Sequence, residues 1–435
     1  MFSKILIANR GEIAVRIIRA CKEMGVSTVA VYSEADRNTL HVALADQSIC
    51  IGGPEAKDSY LNENSIISAA VLTGAQAIHP GYGFLSENAH FCRLCRKNGI
   101  VFIGPDPDSM ERISDKALLK GLIEKTGLSV IPGTQVLASV EEAARAAEKI
   151  GYPVMLKACA GGGGRGIRMV SSPDDLQEAW NQAVSEAESA FNDGSVYLEK
   201  YVYPARHVEL QVLADEQGHA VCLGERDCSM QRRNQKLIEE TPCPGVTRAM
   251  RKKIMELTVD AVKKIGYVGA GTLEFLLDTK GNFWFMEMNV RLQVEHCVTE
   301  MLTGIDLVKW QVRIAAGIPL GFTQKDISLE GCAIECRINA RSCGKLDMLH
   351  VPGGPAVRFD TWLMEDSTVS PYYDSLLGKL IVYAKTREEA LRKLRAALCE
   401  LVVRGIATNQ QEQLCIVEDE RFTSGKYDLT FMSSR

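Results

Sequence analysis

Residues 284–295, WFMEMNVRLQVE, alternate apolar and polar side chains without a break. A period of two is typical of a β-strand with one buried face. Upstream, the apolar run TLEFLLD at 272–278 is followed by TKGN at 279–282, which has turn composition. We therefore predict a β-hairpin whose four-residue loop, 279–282, makes Asp278 pair with Phe283.

That pairing places Glu274 directly opposite Glu287. Like charges facing each other across a ladder are unfavourable, by roughly 3 kcal/mol at about 5 Å and an effective dielectric near ~20, so a cation between them would stabilise the pair. Asn289 adds an oxygen ligand on the same face, and an all-oxygen set favours magnesium or manganese over zinc. The polar face then continues through Arg291, Gln293 and Glu295. An arginine there is suited to an oxyanion.

Composition limits the class of protein. The 435 residues are enough for two or three domains, and a hydrophobic content of 46% with 24% charged residues is typical of a soluble globular protein. The net charge of −5 argues against nucleic acid as the main partner. No stretch approaches the roughly 18 apolar residues of a membrane span, and the N-terminus lacks the form of a signal peptide. Fourteen scattered cysteines fit reduced thiols, so we predict a cytoplasmic protein without a membrane partner.

Strand and helix patterns alternate over residues 1–113, which predicts a doubly wound parallel sheet. The predicted helix is 11–24, and the predicted strands are 4–9, 27–32, 47–51, 75–79 and 100–103. The motif HPGYGF at 79–84 follows a strand, where ligands bind in such sheets. A glycine-rich turn with a helix cap at Ser86 explains this motif equally well.

A glycine-rich loop, KACAGGGGRG at 157–166, lies within a compact unit at about 130–203. The segment 167–170 after it is β-like, whereas a dinucleotide fingerprint needs a helix there, and a Walker lysine is missing. A strand, glycines and a second strand predict a hairpin whose exposed amides can close over phosphates. Just before this unit, a helix carrying Lys116 and Lys120 is predicted to begin at a capping Ser114.

Seven further segments are predicted elsewhere in the chain. Residues 226–236 show neither period and are interpreted as a long polar loop, whose basic side chains would be surface charge or attract a small anion. Residues 295–316 are predicted to be helical. Strands are predicted at 195–202, 332–338 and 376–384, and helices at 140–149 and 387–401.

The motifs KILIANRGEIAVRIIRA, HPGYGFLSEN, KACAGGGGRGIRMV, ERDCSMQRRNQK, EMNVRLQVEH and PYYDSLLGKL follow one another in this order. Over nearly its whole length the chain resembles the biotin carboxylase family of the ATP-grasp superfamily. The resemblance implies a combined α/β and α+β fold in three parts. These are a doubly wound N-terminal domain at 1–113, an ATP-grasp core at 114–329 whose mobile glycine-rich lid spans about 130–203, and a C-terminal biotin carboxylase domain at 330–435.

The resemblance also implies roles for individual residues. The ATP site would comprise Lys116, Lys157, Gly163, Gly164, Glu199, Lys200, Tyr201, Val202, His207, Gln231 and Asn234. The metal ligands would be Glu274, Glu287 and Asn289. Bicarbonate and biotin would be bound by Lys236, Arg291, Gln293, Val294, Glu295 and Arg337. Of these, Lys236, Arg291, Glu295 and Arg337 would be catalytic, with Glu295 deprotonating bicarbonate and Arg337 steadying the biotin oxyanion.

The implied reaction is ATP-dependent carboxylation of biotin by bicarbonate with magnesium or manganese, through carboxyphosphate and then CO2. No lysine is flanked by methionines as in the biotin-attachment motif, so biotin is expected as a substrate borne on a separate carrier protein. The expected setting is acetyl-CoA carboxylase of fatty acid biosynthesis in bacterial cytoplasm, with carboxyltransferase subunits and a homodimer.

The chain departs from the family pattern in two places. Asn234 stands where many relatives have histidine, and the segment 339–352 is shorter, which bears on the biotin pocket and the dimer contact. Two alternatives stay open: an ATP-grasp ligase that activates another carboxylate, and a non-catalytic nucleotide-binding protein. Biotin- and bicarbonate-dependent ATP hydrolysis would distinguish them from a biotin carboxylase.

Overall fold

The computed structural model of the chain describes residues 1–159, 166–191 and 193–433. The N-terminal strands are β1 (Lys4–Ile7), β2 (Ser27–Ser33), β3 (Gln47–Gly52), β4 (Ala77–His79) and β5 (Val101–Phe102). The helices between and after them are α1 (Gly11–Glu23), α2 (Leu40–Leu44), α3 (Glu63–Thr73), α4 (Ala89–Lys97) and α5 (Pro107–Ser114). All pairings are parallel, in the order β3-β2-β1-β4-β5, which confirms the doubly wound parallel sheet.

A smaller antiparallel sheet follows. Its part of the chain contains α6 (Lys116–Glu124), α7 (Val140–Ile150), β6 (Val154–Ala158), β7 (Ile167–Val170), α8 (Leu176–Phe191) and β8 (Val196–Lys200). The strand order is β7-β6-β8, and Lys157 pairs with Ile167, so a strand does flank each end of the glycine-rich loop. The glycines predicted to cover phosphates, Gly163 and Gly164, lie outside the described residues.

The predicted cap of α6 is wrong. Ser114 is the last residue of α5, and the side chain of Asp115 accepts the backbone N–H of Leu118 at 2.9 Å. Aspartate and serine both cap helices well, so composition alone does not decide which of two neighbours takes the position. The helix α7 begins where its pattern predicts, because the Ser139 side chain accepts the Glu142 N–H.

The rest of the chain, from residue 205 onward, contains twelve strands and six α-helices among the described residues. Its strands are β9 (Ala205–Ala214), β10 (Ala220–Arg232), β11 (Gln235–Thr241), β12 (Gly269–Asp278), β13 (Phe283–Asn289), β14 (Cys332–Asn339), β15 (Gly344–Lys345), β16 (Met348–His350), β17 (Val357–Thr361), β18 (Thr368–Val369), β19 (Leu376–Ala384) and β20 (Val402–Arg404). Its helices are α9 (Arg248–Ile265), α10 (His296–Thr303), α11 (Leu307–Ala315), α12 (Arg387–Glu400), α13 (Gln410–Val417) and α14 (Glu420–Thr423). One antiparallel sheet, ordered β13-β12-β9-β10-β11-β14-β19-β17, runs through most of these strands.

The prediction of a polar loop at 226–236 is wrong, because this segment forms a hairpin between β10 and β11. Arg233 and Asn234 make its tip with positive φ angles of 49° and 63°. Positive φ at both central positions is the geometry of a tight hairpin turn, and asparagine tolerates it well. Residues 221–230 are all buried, so both faces of β10 are covered and no polar–apolar alternation marks the strand.

Two predicted boundaries also change. The strand predicted over 284–295 ends at Asn289, and residues 290–295 form an irregular turn before α10. The helix predicted over 295–316 is divided between α10 and α11. Gly304 ends α10 in the left-handed conformation, with φ 71°, and the Asp306 side chain caps α11 by accepting the Lys309 N–H at 2.8 Å.

The parallel and antiparallel sheets share a hydrophobic core. Leu6 and Ile78 of the first sheet belong to the same buried cluster as Leu210, Leu273 and Phe285 of the second. Burial of such a continuous apolar surface holds the site-bearing strands against the N-terminal sheet. Within the described part of the chain, no helix is long and apolar enough to span a membrane.

Candidate active site

The β12–β13 hairpin places Glu274 directly opposite Glu287, as the alternation predicts. The predicted pair of Asp278 with Phe283 is wrong, because Phe283 pairs with Leu277 instead. A register shift between Glu274 and Phe275 absorbs the difference. The turn is one residue longer than predicted, and the bulge shifts the strand pairing back by one residue. The two changes in register cancel, so the two carboxylates still face each other.

The electrostatics of this pair suit a divalent cation. Burial, and next the charge of Glu274, raise the pKa of Glu287 above its ordinary value. Burial alone would raise the pKa of Glu274 too, but Lys236 and His207 outweigh it and hold that pKa well below the ordinary value. Asn289 Nδ2 donates to Glu274 Oε1 at 2.8 Å, and its Oδ1 accepts from Arg291 Nη2 at 3.2 Å, so the amide group lies beside the pair. These oxygen donors fit a hard ion such as magnesium.

The facing carboxylates belong to a longer charged row. Glu274 pairs with Glu209 of β9, and Glu209 pairs with Arg226 of β10. Arg226 is fully buried and donates to Glu209 Oε1 at 2.5 Å, Gln211 Oε1 at 2.8 Å and Thr299 Oγ1 at 2.9 Å. Neither Glu209 nor Arg226 was predicted as a site residue. The alternation of β9, which puts Glu209 between His207 and Gln211 on one face, was the signal for the first.

Basic side chains surround Glu295, which is buried just beyond the hairpin. Lys236 Nζ lies 2.5 Å from Glu295 Oε1 and 2.7 Å from Glu209 Oε2, and Arg337 Nη2 lies 2.8 Å from Glu295 Oε2. Burial alone would raise the pKa of Glu295, but Lys236, Arg337 and Arg226 outweigh it and lower that pKa well below the ordinary value. The carboxylate is therefore ionised at neutral pH, between two cations that can also attract a small anion.

Arg291 joins this site to the HPGYGF loop. Its Nε donates to Glu87 Oε2 at 2.9 Å, and its Nη1 donates to Gln293 Oε1 at 2.9 Å. Gln293 in turn donates to Glu274 Oε1 at 2.9 Å. The predicted cap at Ser86 is wrong, because Asn88 caps α4 by accepting the Phe91 N–H at 2.8 Å. The loop therefore supplies a carboxylate to the site, as expected beyond the carboxyl end of a parallel strand.

A second buried carboxylate, Glu199 of β8, lies at the predicted nucleotide site. Lys157 and Lys120 both contact it, one at each oxygen. Burial would raise the pKa of Glu199, but these lysines outweigh it and lower that pKa. Lys116 Nζ lies 3.9 Å from Glu287 Oε2, which brings this group beside the facing carboxylates. Lys120 was not predicted as a site residue, although its spacing from Lys116 places both on one helix face.

His207 belongs to the group of the facing carboxylates, and the other predicted nucleotide residues have separate contacts. His207 Nε2 is 2.9 Å from Glu274 Oε2, and Gln231 Nε2 lies 2.8 Å from its Nδ1. Lys200 instead donates to the backbone carbonyl of Gly151 at 2.6 Å. The remaining predicted residues are Tyr201, whose ring stacks on Tyr203 at 5.2 Å, the partly buried Val202, and Asn234 at the exposed hairpin tip. The structure thus leaves Lys200 and Asn234 outside the charged cluster.

A parallel N-terminal sheet, an antiparallel sheet with lysine-bearing strands, and a larger sheet with facing carboxylates together define an ATP-grasp enzyme. The family comparisons agree. Residues 115–323 match the carbamoyl-phosphate synthase L chain ATP-binding domain, residues 1–110 the biotin carboxylase N-terminal domain, and residues 335–434 the biotin carboxylase C-terminal domain. The chain belongs to the biotin carboxylase family, which confirms the resemblance seen in the motifs, and is an ATP-dependent ligase.

Individual relatives are similar over their full length. Biotin carboxylase 1 of Bacillus subtilis is 48% identical, with 100% of this chain and 99% of the relative covered. The 2-oxoglutarate carboxylase small subunit of Hydrogenobacter thermophilus is 48% identical, with 99% and 93% covered. A crystal structure of a biotin carboxylase β,γ-ATP complex from Campylobacter jejuni superposes with a TM-score of 0.98 at 47% identity, covering 100% of this chain and 99% of the other.

A further solved structure is a complex with several ligands. It is the biotin carboxylase domain dimer of the Hydrogenobacter thermophilus 2-oxoglutarate carboxylase, in complex with MgADP, ADP and bicarbonate. Its TM-score is 0.96 at 47% identity, with 100% of this chain and 98% of that chain covered.

Proposed function

We propose that this chain carboxylates carrier-borne biotin with bicarbonate and ATP, as the first half-reaction of acetyl-CoA carboxylase. The observation that carries the proposal is Glu295, ionised and held between Lys236 and Arg337, beside the facing carboxylates Glu274 and Glu287. Activation of bicarbonate by ATP requires a base, cations that bind the anion, and a place for a divalent ion.

Glu274, Glu287 and Asn289 would hold magnesium, or manganese. When bound there, the ion would neutralise charge on the transferred phosphoryl group. The raised pKa of Glu287, caused by burial and then by Glu274, supports this assignment, because a cation removes that repulsion. Lys116 and Lys157 would bind the ATP phosphates under Gly163 and Gly164. The other proposed nucleotide contacts are Glu199, Lys200, Tyr201, Val202, His207, Gln231 and Asn234.

Bicarbonate would be bound by Lys236, Arg291, Gln293 and the backbone of Val294. Glu295 would accept the bicarbonate proton, so that a bicarbonate oxygen attacks the γ-phosphorus of ATP, giving carboxyphosphate and ADP. The low pKa of Glu295 makes it a weak base, and contact with bicarbonate at fixed geometry compensates. Carboxyphosphate would then break down to CO2 and phosphate, and the phosphate would accept the proton of the biotin ring nitrogen. Arg337 would stabilise the resulting oxyanion of biotin, whose nitrogen forms the new bond to CO2.

The proposed domain bounds are 1–113, 114–329 with a lid at about 130–203, and 330–435. A biotin carboxyl carrier protein would bring the substrate, carboxyltransferase subunits would consume carboxybiotin, and the chain would act as a homodimer in the cytoplasm. The dimer of the Hydrogenobacter thermophilus biotin carboxylase domain supports the homodimer.

Labelled bicarbonate fixation tests the reaction directly. Purified protein is given free biotin, ATP and magnesium, and carboxybiotin is counted alongside ADP. We expect fixation to require all of these, and Arg337→Ala to lose it while the KM for ATP changes little. ATP hydrolysis that ignores biotin would instead favour another ATP-grasp ligase, and the absence of hydrolysis with any partner would favour a nucleotide-binding protein.

A second candidate role is the biotin-carboxylating subunit of a 2-oxo acid carboxylase. The similarity to the 2-oxoglutarate carboxylase small subunit favours it. The two roles share every step at this site and differ only in the acceptor of the carboxyl group. Capture of the carrier on this chain, followed by an acceptor assay with acetyl-CoA, pyruvate and 2-oxoglutarate in parallel, distinguishes them.

A further inference from the structure

Lys379 of β19 is a fully buried lysine that contacts the turn leading to Glu295. Its side chain is 0% exposed. Its Nζ donates to the backbone carbonyl oxygen of Val294 at 2.8 Å and lies 3.1 Å from Glu12 Oε1 on α1. A buried charge is costly unless it is paired and hydrogen-bonded, so these contacts account for its presence in the interior.

The residues around Lys379 join distant parts of the chain. Tyr82, from the HPGYGF motif, hydrogen-bonds to the same Glu12 oxygen, and its ring centroid is 6.0 Å from Lys379 Nζ. Lys379 pairs with Arg337 across β14 and β19. Other charged groups that face it are the buried carboxylates Glu335 and Asp360. The motifs HPGYGFLSEN and PYYDSLLGKL thus meet at this lysine.

The Val294 carbonyl lies in a segment that no strand pairing holds in place. Residues 290–295 follow the end of β13, so the sheet ladder does not orient their peptide groups. The stretch nevertheless carries the side chains Arg291, Gln293 and Glu295, whose relative positions decide whether a small anion is bound in a reactive geometry. A single charge-assisted hydrogen bond from Lys379 restrains the peptide that joins Val294 to Glu295.

We propose that Lys379 is a positioning residue for the bicarbonate step. It holds the peptide between Val294 and Glu295 through the Val294 carbonyl, and Glu12 keeps its ammonium group in place. This inference rests on the proposed biotin carboxylase activity of the same site. It adds a residue that acts through Val294 and does not itself touch the reacting groups.

The test combines a single and a double substitution. Lys379→Met removes the donor and leaves Glu12 buried without its partner. The double variant Glu12→Gln/Lys379→Met removes both members of this ion pair, so Glu12 is not left as a buried charge without its cation. ATP hydrolysis with biotin is measured against bicarbonate and against ATP, and the urea midpoint of unfolding is measured for every variant. The exposed neighbour Lys385→Met is the control.

We expect the KM for bicarbonate to rise about tenfold in Lys379→Met, the effect of one charge-assisted hydrogen bond, while the KM for ATP stays within about twofold. In the double variant the urea midpoint recovers toward wild type, but the KM for bicarbonate stays high. If the KM for bicarbonate recovers together with the midpoint, or never changes, Lys379 is only structural and the inference is overturned. A wild-type protein without bicarbonate-dependent turnover would instead overturn the proposed function, and the inference with it.

Discussion

Glu274 and Glu287 stand directly opposite each other on neighbouring antiparallel strands, and Glu209 continues the row on the next strand. Arg226, Lys236 and His207 neutralise the side of this row that includes Glu209 and Glu274. Glu287, at the other end, lies 3.9 Å from Lys116 Nζ, which is beyond hydrogen-bonding distance. The charge left at this end of the row is therefore negative, which is where a divalent ion would be held.

Glu287→Gln should have opposite effects on activity and on stability. Without metal, removal of the repulsion from Glu274 should raise the free energy of unfolding by up to about 1 kcal/mol. With magnesium and ATP, turnover should fall about a hundredfold or more, because several kcal/mol of metal stabilisation are lost. Thermal unfolding with and without magnesium, and steady-state kinetics, measure the two effects. Magnesium that stabilises the variant as much as wild type would contradict the ligand assignment, and the exposed Glu256→Gln on α9 is the control.

Arg226→Met should destabilise the protein by about 3–5 kcal/mol, because it leaves Glu209 buried with one cation fewer. Arg226 contacts Gln211 and Thr299 as well, so the loss spreads over β9 and α10. Urea unfolding measures the change, with the exposed Arg404→Met on β20 as the control. A cost no larger than that of Arg404→Met would mean that Arg226 lies on the surface, as the original loop prediction implied.

Glu239 should make stability fall as pH rises toward neutrality. It is fully buried and pairs with the buried Glu335 across β11 and β14. Burial raises the pKa of Glu239 from 4.5 to about 7, against the opposing effect of Arg337. Between these values the folded protein binds more protons than the unfolded chain, so stability declines across this window and levels off above it.

Glu239→Gln should remove this decline, which can reach about 3 kcal/mol for a shift of that size. The difference in free energy of unfolding between variant and wild type should therefore grow in favour of the variant from about pH 5 to about pH 7. Urea unfolding at several pH values checks this. A difference that stays constant with pH would show that Glu239 is ionised throughout.

Lys120→Met should raise the KM for ATP about tenfold, since one charged contact at the proposed nucleotide site is lost. Lys120 and Lys157 share Glu199, so removing one lysine also changes the position of the other. The KM for biotin should stay unchanged. Steady-state kinetics with each substrate varied in turn measure both, and the exposed Lys125→Met is the control. An unchanged KM for ATP would mean that Lys120 does not contribute to nucleotide binding.

Local pattern determined a large part of this structure. The order of strands and helices in the N-terminal sheet follows from periodicity, because each element there buries an apolar face. The facing of Glu274 and Glu287 also follows from local alternation and turn composition. The turn is one residue longer than predicted, and a bulge in the hairpin restores the predicted pairing of the two carboxylates. Alternation of side chains does not reveal such a bulge.

Only the tertiary structure decided how the charged residues of the site are arranged. Arg226 lies in a strand because Glu209 and Thr299 neutralise and bind it in the interior, and periodicity detects burial only where buried residues are apolar. Arg291 meets Glu87 from 204 positions away, and Lys379 meets Val294 from 85 positions away. The residue types and their order are properties of the sequence, but a buried charge is stable only when distant partners surround it, and the fold supplies those partners.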